Sequence, residues 1–245
     1  SGYAMNGMTG RKLKSGTVEV VKDGVVVATT SVGSNGKYSL DVPEGTGYTV
    51  RVILPGFIEF NDVIDLTSSG ATVNANLSPT LPPHEARIIM SWGRTPKDLD
   101  SYLQTPHRVD GSDNPEKKFC IINYRMKNAR PSRQPCVATA ELDVDKTRGY
   151  GPETFTITQL EEGVYSYWVQ LYSRPATKSR LMASDAKVTL YLFGEQHHFS
   201  IQDMSASVSP GSSPKSEWRV FQLHVDSALN VQVTRCVSSD SCTPP

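Results

Sequence analysis

The nine residues Val164-Tyr165-Ser166-Tyr167-Trp168-Val169-Gln170-Leu171-Tyr172 limit what this chain can fold into more than any other stretch. On a two-residue period Tyr165, Tyr167, Val169 and Leu171 point one way, and Val164, Trp168 and Tyr172 fall largely on the other side. A strand with bulky residues on both faces belongs at the centre of packed sheets. No stretch of ten or more residues sustains a helical period, so helices are expected to be few and short. The expected fold class is all-β, with two β-sandwich domains, a small one followed by a larger antiparallel one.

The first part of the chain supports this. Residues from about 14 to 78 read as short strands punctuated by turns. Thr17 to Lys22 and Val25 to Thr30 flank Asp23-Gly24, a strong hairpin signal because glycine supplies the positive φ that a type I′ turn needs. Ser34-Asn35-Gly36 makes the next turn, and Tyr38, Leu40 and Val42 then alternate with polar residues as one strand. Tyr48, Val50, Val52 and Leu54 form a further inward row. Thr9-Gly10-Arg11-Lys12-Leu13, Thr17-Val18-Glu19-Val20, Gly36-Lys37-Tyr38-Ser39-Leu40 and Gly47-Tyr48-Thr49-Val50 follow one another in an order that resembles the carboxypeptidase-regulatory-like, or transthyretin-like, domain. That resemblance covers residues 1–78. It implies a seven-stranded sandwich that serves as an accessory or spacer module without catalysis of its own.

Pro79, Pro82 and Pro83 make residues 79–85 a short, extended linker. Residues 86–245 then form the second domain, with strands expected over 86–92, 119–124, 137–142, 154–158, 164–172, 187–193, 197–202, 218–225 and 230–235. Met90-Ser91-Trp92-Gly93, Asp98-Leu99-Asp100-Ser101-Tyr102-Leu103, Leu142-Asp143-Val144-Asp145 and Gly149-Tyr150-Gly151-Pro152-Glu153-Thr154 carry a second resemblance, continued in Gly163 to Val169 and Trp218 to Phe221. It is to the bacterial DUF2135 (YfaP-like) family and covers most of residues 86–226. The resemblance implies a module of large secreted or surface proteins; it implies location better than activity.

Four cysteines, Cys120, Cys136, Cys236 and Cys242, lie outside any C-x-x-C pair, which argues against zinc. Their spacing favours two local disulfides, Cys120–Cys136 and Cys236–Cys242, although other pairings and free thiols stay open. Asn76-Leu77-Ser78 is a candidate glycosylation acceptor at Asn76. These features point to an oxidising, extracellular setting. The 25 Lys and Arg residues cancel the 25 Asp and Glu residues, so no global field argues for nucleic acid or an anionic membrane as partner. No apolar run approaches the roughly 18–20 residues of a membrane span. With neither an initiator Met nor a signal segment at Ser1, a processed or excised piece of a longer protein is the expectation.

The acidic turns concentrate the chemistry. Asp98 and Asp100 in one, and Asp143, Asp145 and Glu153 in the other, are hard oxygen donors of the kind Ca²⁺ takes. The two turns are expected to meet at one end of the second sandwich. Two readings stay open: a calcium site, or turns capped by their own side chains, since Asp also bonds its own backbone. Arg125, Lys127, Arg130 and Arg133 form a basic loop, read either as an anion- or partner-binding edge or as a solvated loop. Trp92, Trp168 and Trp218 are expected in the core; an exposed one would instead offer a sugar-stacking platform. Walker loops, dinucleotide fingerprints, Gly-x-Ser-x-Gly elbows and paired nucleophile–base motifs are all missing from the sequence. The expected role is that of a non-enzymatic extracellular adhesion, assembly or ligand-binding module, with calcium as its only candidate cofactor and a surface protein or glycan as partner. The rivals are a carbohydrate-binding accessory module, a hydrolase with an unrecognised carboxylate site, and a structural spacer.

Overall fold

The structure is a computed structural model, and it describes residues 1–106, 120–130, 136–209, 216–238 and 242. The chain divides into two compact units, Ser1–Leu81 and Pro82–Pro245. The division falls inside the proline-bearing segment.

In the first unit β1 (Gly2–Asn6), β4 (Lys37–Tyr38) and β7 (Ala75–Leu77) form one sheet in the order β4-β1-β7. β2 (Thr17–Lys22), β3 (Val25–Ser31), β5 (Gly45–Ile53) and β6 (Phe60–Leu66) form the other, in the order β3-β2-β5-β6. Asp23 and Gly24 both take positive φ, 50° and 79°, which is the type I′ geometry the dipeptide promised. Val18, Val20, Tyr48, Val50 and Val52 are buried, as the alternation required. The strand expected from Tyr38 to Val42 stops at Tyr38. Its hydroxyl donates to the Val73 carbonyl at 2.5 Å, and Ser39 to Glu44 carry no strand pairing. Asn76 sits in the middle of β7, a strand buried at all three residues, and is 4 % exposed. A glycan on its amide does not fit the folded unit, which corrects the glycosylation expectation.

The second unit is a sandwich of two antiparallel sheets. β8 (Ala86–Ser91), β11 (Asn128–Ala129), β12 (Thr139–Val144), β13 (Glu153–Gln159), β15 (Lys187–Leu192) and β16 (Glu195–Ser200) run in the order β11-β12-β13-β8-β15-β16. The facing sheet contains β9 (Leu99–Thr105), β10 (Cys120–Ile122), β14 (Gly163–Leu171), β17 (Val208–Ser209), β18 (Glu217–Val225) and β19 (Val231–Arg235), with β14 between β9 and β18. Helix is confined to α1 (Lys178–Met182) and a 3-10 turn at Ser205–Ser207. Tyr165, Tyr167, Val169 and Leu171 enter the core with Trp92, Phe155, Trp218 and Phe221. Trp168 does not. It lies on the other face of β14, stacked on Tyr102 with ring centroids 5.3 Å apart, while the Arg219 guanidinium sits 5.0 Å over its ring.

β9 is the strand the sequence concealed. Asp100, Ser101 and Gln104 interrupt its apolar residues, so Asp98-Leu99-Asp100 reads as a turn. All seven residues of β9 are nevertheless buried, because it lies between β10 and β14. Asp100 belongs to a buried strand.

Both local disulfides are formed, Cys120 to Cys136 and Cys236 to Cys242, as suits an oxidising compartment. Among the described residues, no helix is long and apolar enough to cross a membrane. The first bridge closes a span of 16 residues, for which chain entropy gives about 3 kcal/mol. Cys120→Ala/Cys136→Ala is therefore expected to lower the unfolding free energy by about that amount. A denaturant midpoint equal to that of the parent chain would show that the bridge is dispensable.

Candidate functional site

Three connections converge at one end of the second unit: residues 92–98 between β8 and β9, 145–152 between β12 and β13, and 172–177 after β14. Backbone bonds tie them together. The Gly149 N–H donates to the Lys97 carbonyl at 2.5 Å, and the Tyr150 N–H to that of Gly93 at 2.9 Å. The Ser173 N–H donates to the Asp98 carbonyl at 3.3 Å, and the Asp98 N–H to the Ser173 hydroxyl at 3.0 Å. The indole N–H of Trp92 donates to the Pro96 carbonyl at 3.0 Å. Glycine is required at residue 149: φ is 67°, and a Cβ there would lie 2.6 Å from the Arg94 carbonyl oxygen. The peptide bonds Thr95–Pro96, Gly151–Pro152 and Arg174–Pro175 are cis. The expectation that the two acidic stretches meet at one end is thus realised in backbone contacts.

Asp143 stands apart from the other four carboxylates, which act on one another electrostatically. Glu153 is 1 % exposed; its Oε2 accepts the Ser101 N–H at 2.8 Å and also the Ser101 hydroxyl. Burial pushes its carboxyl well above the ordinary range against those two hydrogen bonds, and Asp100 and Asp145 push it further. Asp98 is raised by burial and by Asp145. Asp145 pairs with the Lys127 ammonium at 2.8 Å. Asp143 faces elsewhere, accepting the Thr156 hydroxyl at 2.7 Å while Thr156 also accepts from Arg87 Nε at 3.1 Å. Burial raises the Asp143 carboxyl to about 6 despite Thr156 and Arg87. A register shift between Leu142 and Val144 breaks the alternation that would have aimed Asp143 and Asp145 together.

Of the two readings left open by the sequence, a calcium seat made by all five carboxylates does not assemble among the described residues. Among the described residues, no group of three or more His, Cys, Asp or Glu is placed to hold a metal ion. Asp143, Asp145 and Glu153 each already accept from the chain's own donors.

The surface of this end has the opposite sign to the one its sequence announces. Arg94, Lys97, Arg148 and Arg174 are exposed on the three tied connections, and none has a carboxylate partner among the described residues. Tyr150 is 42 % and Tyr172 48 % exposed. Tyr172 meets Tyr124 edge-on at 5.9 Å, and the Arg125 guanidinium lies 5.3 Å over the Tyr124 ring. Of the predicted basic loop, Arg125 and Lys127 thus join this end, with Lys127 occupied by Asp145. Arg130 is exposed just beyond β11. Arg133 lies outside the described residues. Arg94, Lys97, Arg148 and Arg174 were the residues to find in the sequence: three of them flank the acidic turns directly, as Arg94-x-x-Lys97-Asp98 and Asp145-x-x-Arg148.

No protein-family model and no curated protein matches the chain. A crystal structure of the unknown function protein SAV2460 resembles it at 13 % identity, covering 64 % of this chain and 91 % of that one, with a TM-score of 0.40. A "putative carbohydrate binding protein" from Bacteroides uniformis resembles it at 11 % identity over 96 % of both chains, with a TM-score of 0.27. At these scores neither likeness bears on what the chain does.

Proposed function

We propose that the chain is a non-catalytic, glycan-binding module of a secreted or surface protein, and that it binds through the tied end of its second unit. The carrying observation is the pair of half-exposed tyrosines, Tyr150 and Tyr172, on connections held rigid by backbone hydrogen bonds. Tyrosine rings in fixed positions stack on the C–H faces of pyranoses at little entropic cost, and their hydroxyls reach sugar hydroxyls. The disulfides and the resemblance to surface-protein modules support the location. Three acids of this end, Glu153, Asp143 and Asp145, are engaged with Ser101, Thr156 and Lys127, which favours binding over catalysis.

A glycan array probed with the whole chain, and with Tyr150→Ala/Tyr172→Ala, tests this reading. Retention of at least one glycan class by the parent chain, with a loss of tenfold or more in the double variant, is the expected result. Equal retention of every glycan by the two proteins would remove this end from the account.

A further inference from the structure

Resting on that reading, we infer that the ligand is an acidic polysaccharide, carrying sulfate or carboxylate groups, held by Arg94, Lys97, Arg148 and Arg174 around the exposed tyrosines. The juxtaposition is set by the backbone. Gly149 bonds Lys97, which brings Arg148 beside Lys97, and Asp98 and Ser173 bond each other, which brings Arg174 to the other side of the same loop. A Cβ on Gly149 would touch the carbonyl of Arg94, so Arg94 borders the same surface. Arg125, over Tyr124, extends it towards Tyr172.

Among the described residues the charge balance is one-sided. Exposed cations outnumber the acids that share their surface: Glu153 is buried, Asp145 is paired with Lys127, and Asp98 is half-buried. Asp185, exposed next to Ser184, is the acid that opposes them from the neighbouring loop, where the Gly93 N–H donates to the Ser184 carbonyl. Among the described residues the three arginines have no carboxylate partner, and their guanidinium forks suit bidentate contact with sulfate or carboxylate.

A polysaccharide suits this surface better than a protein. The large exposed apolar side chains on these connections are tyrosines alone. Protein hot spots also use Tyr and Arg but seat them in desolvated pockets, whereas these rings stand about half exposed. Separated rings among solvated cations fit a wet, repetitive, charged ligand instead. Single-stranded nucleic acid shares the anionic character and would also stack, so it belongs in the test.

The test is titration of the whole chain with heparin, polygalacturonate, neutral dextran and single-stranded oligo-dT at several salt concentrations. The parent chain is compared with Arg94→Gln/Lys97→Gln/Arg148→Gln/Arg174→Gln. The expected result is binding of at least one acidic polysaccharide that weakens steeply with salt and falls tenfold or more in the variant, with an unchanged melting temperature. Salt-insensitive binding of dextran, lost in the tyrosine variant but kept in the glutamine variant, would overturn the acidic ligand and leave the glycan-binding reading standing. Tighter binding of oligo-dT than of either acidic polysaccharide would overturn both. If the glutamine variant melts lower, Arg94→Lys/Arg148→Lys/Arg174→Lys keeps the charge without the fork, and unchanged salt dependence with weaker affinity is then expected. Loss of the salt dependence in that variant would count against the proposal.

Discussion

Gly149→Ala is expected to destabilise the second unit by roughly 3 kcal/mol or more, among the largest effects available to so small a change. A left-handed backbone costs an L residue about 1–2 kcal/mol by itself, and φ here is 67°. The added methyl would also stand 2.6 Å from the Arg94 carbonyl oxygen, a backbone atom that cannot rotate away. Relief requires the 92–98 and 145–152 connections to part, which breaks the bond from the Gly149 N–H to Lys97. The same variant should therefore lose glycan binding, since Arg148 and Tyr150 are placed by that junction. Urea unfolding monitored by fluorescence of the buried tryptophans reads the stability. A midpoint within error of the parent chain would mean that the junction does not hold this end together.

Glu153 is the second position where a single atom changes the outcome. Glu153→Ala removes the acceptor of both the Ser101 N–H and the Ser101 hydroxyl; with about 1–3 kcal/mol for each stranded buried donor, a loss of about 2–6 kcal/mol is expected. Glu153→Gln keeps an acceptor there and removes only the ionisation. Its effect depends on pH, and the direction follows from the raised carboxyl. An acid whose folded value lies above its unfolded value, near 4.5, binds its proton more tightly in the folded state. The contribution to stability is present at low pH and declines as pH rises from about 4.5 through the folded value. Asp143 adds the same sign between about 4 and about 6. Glu153→Gln should thus match the parent chain near pH 4 and exceed it at pH 8, with the opposite ordering from Glu153→Ala. Equal pH dependence in the parent and Glu153→Gln chains would mean that the Glu153 carboxyl binds its proton no more tightly in the folded chain than in the unfolded one.

The strands with regular alternation were legible in the sequence. Val164 to Tyr172 announced a central strand with one face in the core and Trp168 buried on the other, and Asp23-Gly24 announced its turn. β9 was not legible, because Asp100, Ser101 and Gln104 are polar residues buried by neighbouring strands and by no property of their own. The strand that should have continued beyond Tyr38 had the right alternation and lacked a partner to pair with. At the candidate site the sequence located the right end and misread its sign. Acid density along a chain says nothing about which carboxylates the fold will bury. The residues left facing water, Arg94, Lys97, Arg148 and Arg174, stand in or beside the same stretches, but isolated basic residues beside turns are too common to mark a site by sequence alone.

The withdrawn acids have a consequence beyond stability. Glu153, Asp98 and Asp143 all hold protons more tightly in the folded chain than an open chain would. Folding in mildly acidic solution is accordingly a proton-consuming reaction. A weakly buffered refolding mixture near pH 5 drifts upward as these three sites fill, and the enthalpy measured there contains the ionisation heat of whatever buffer supplied the protons.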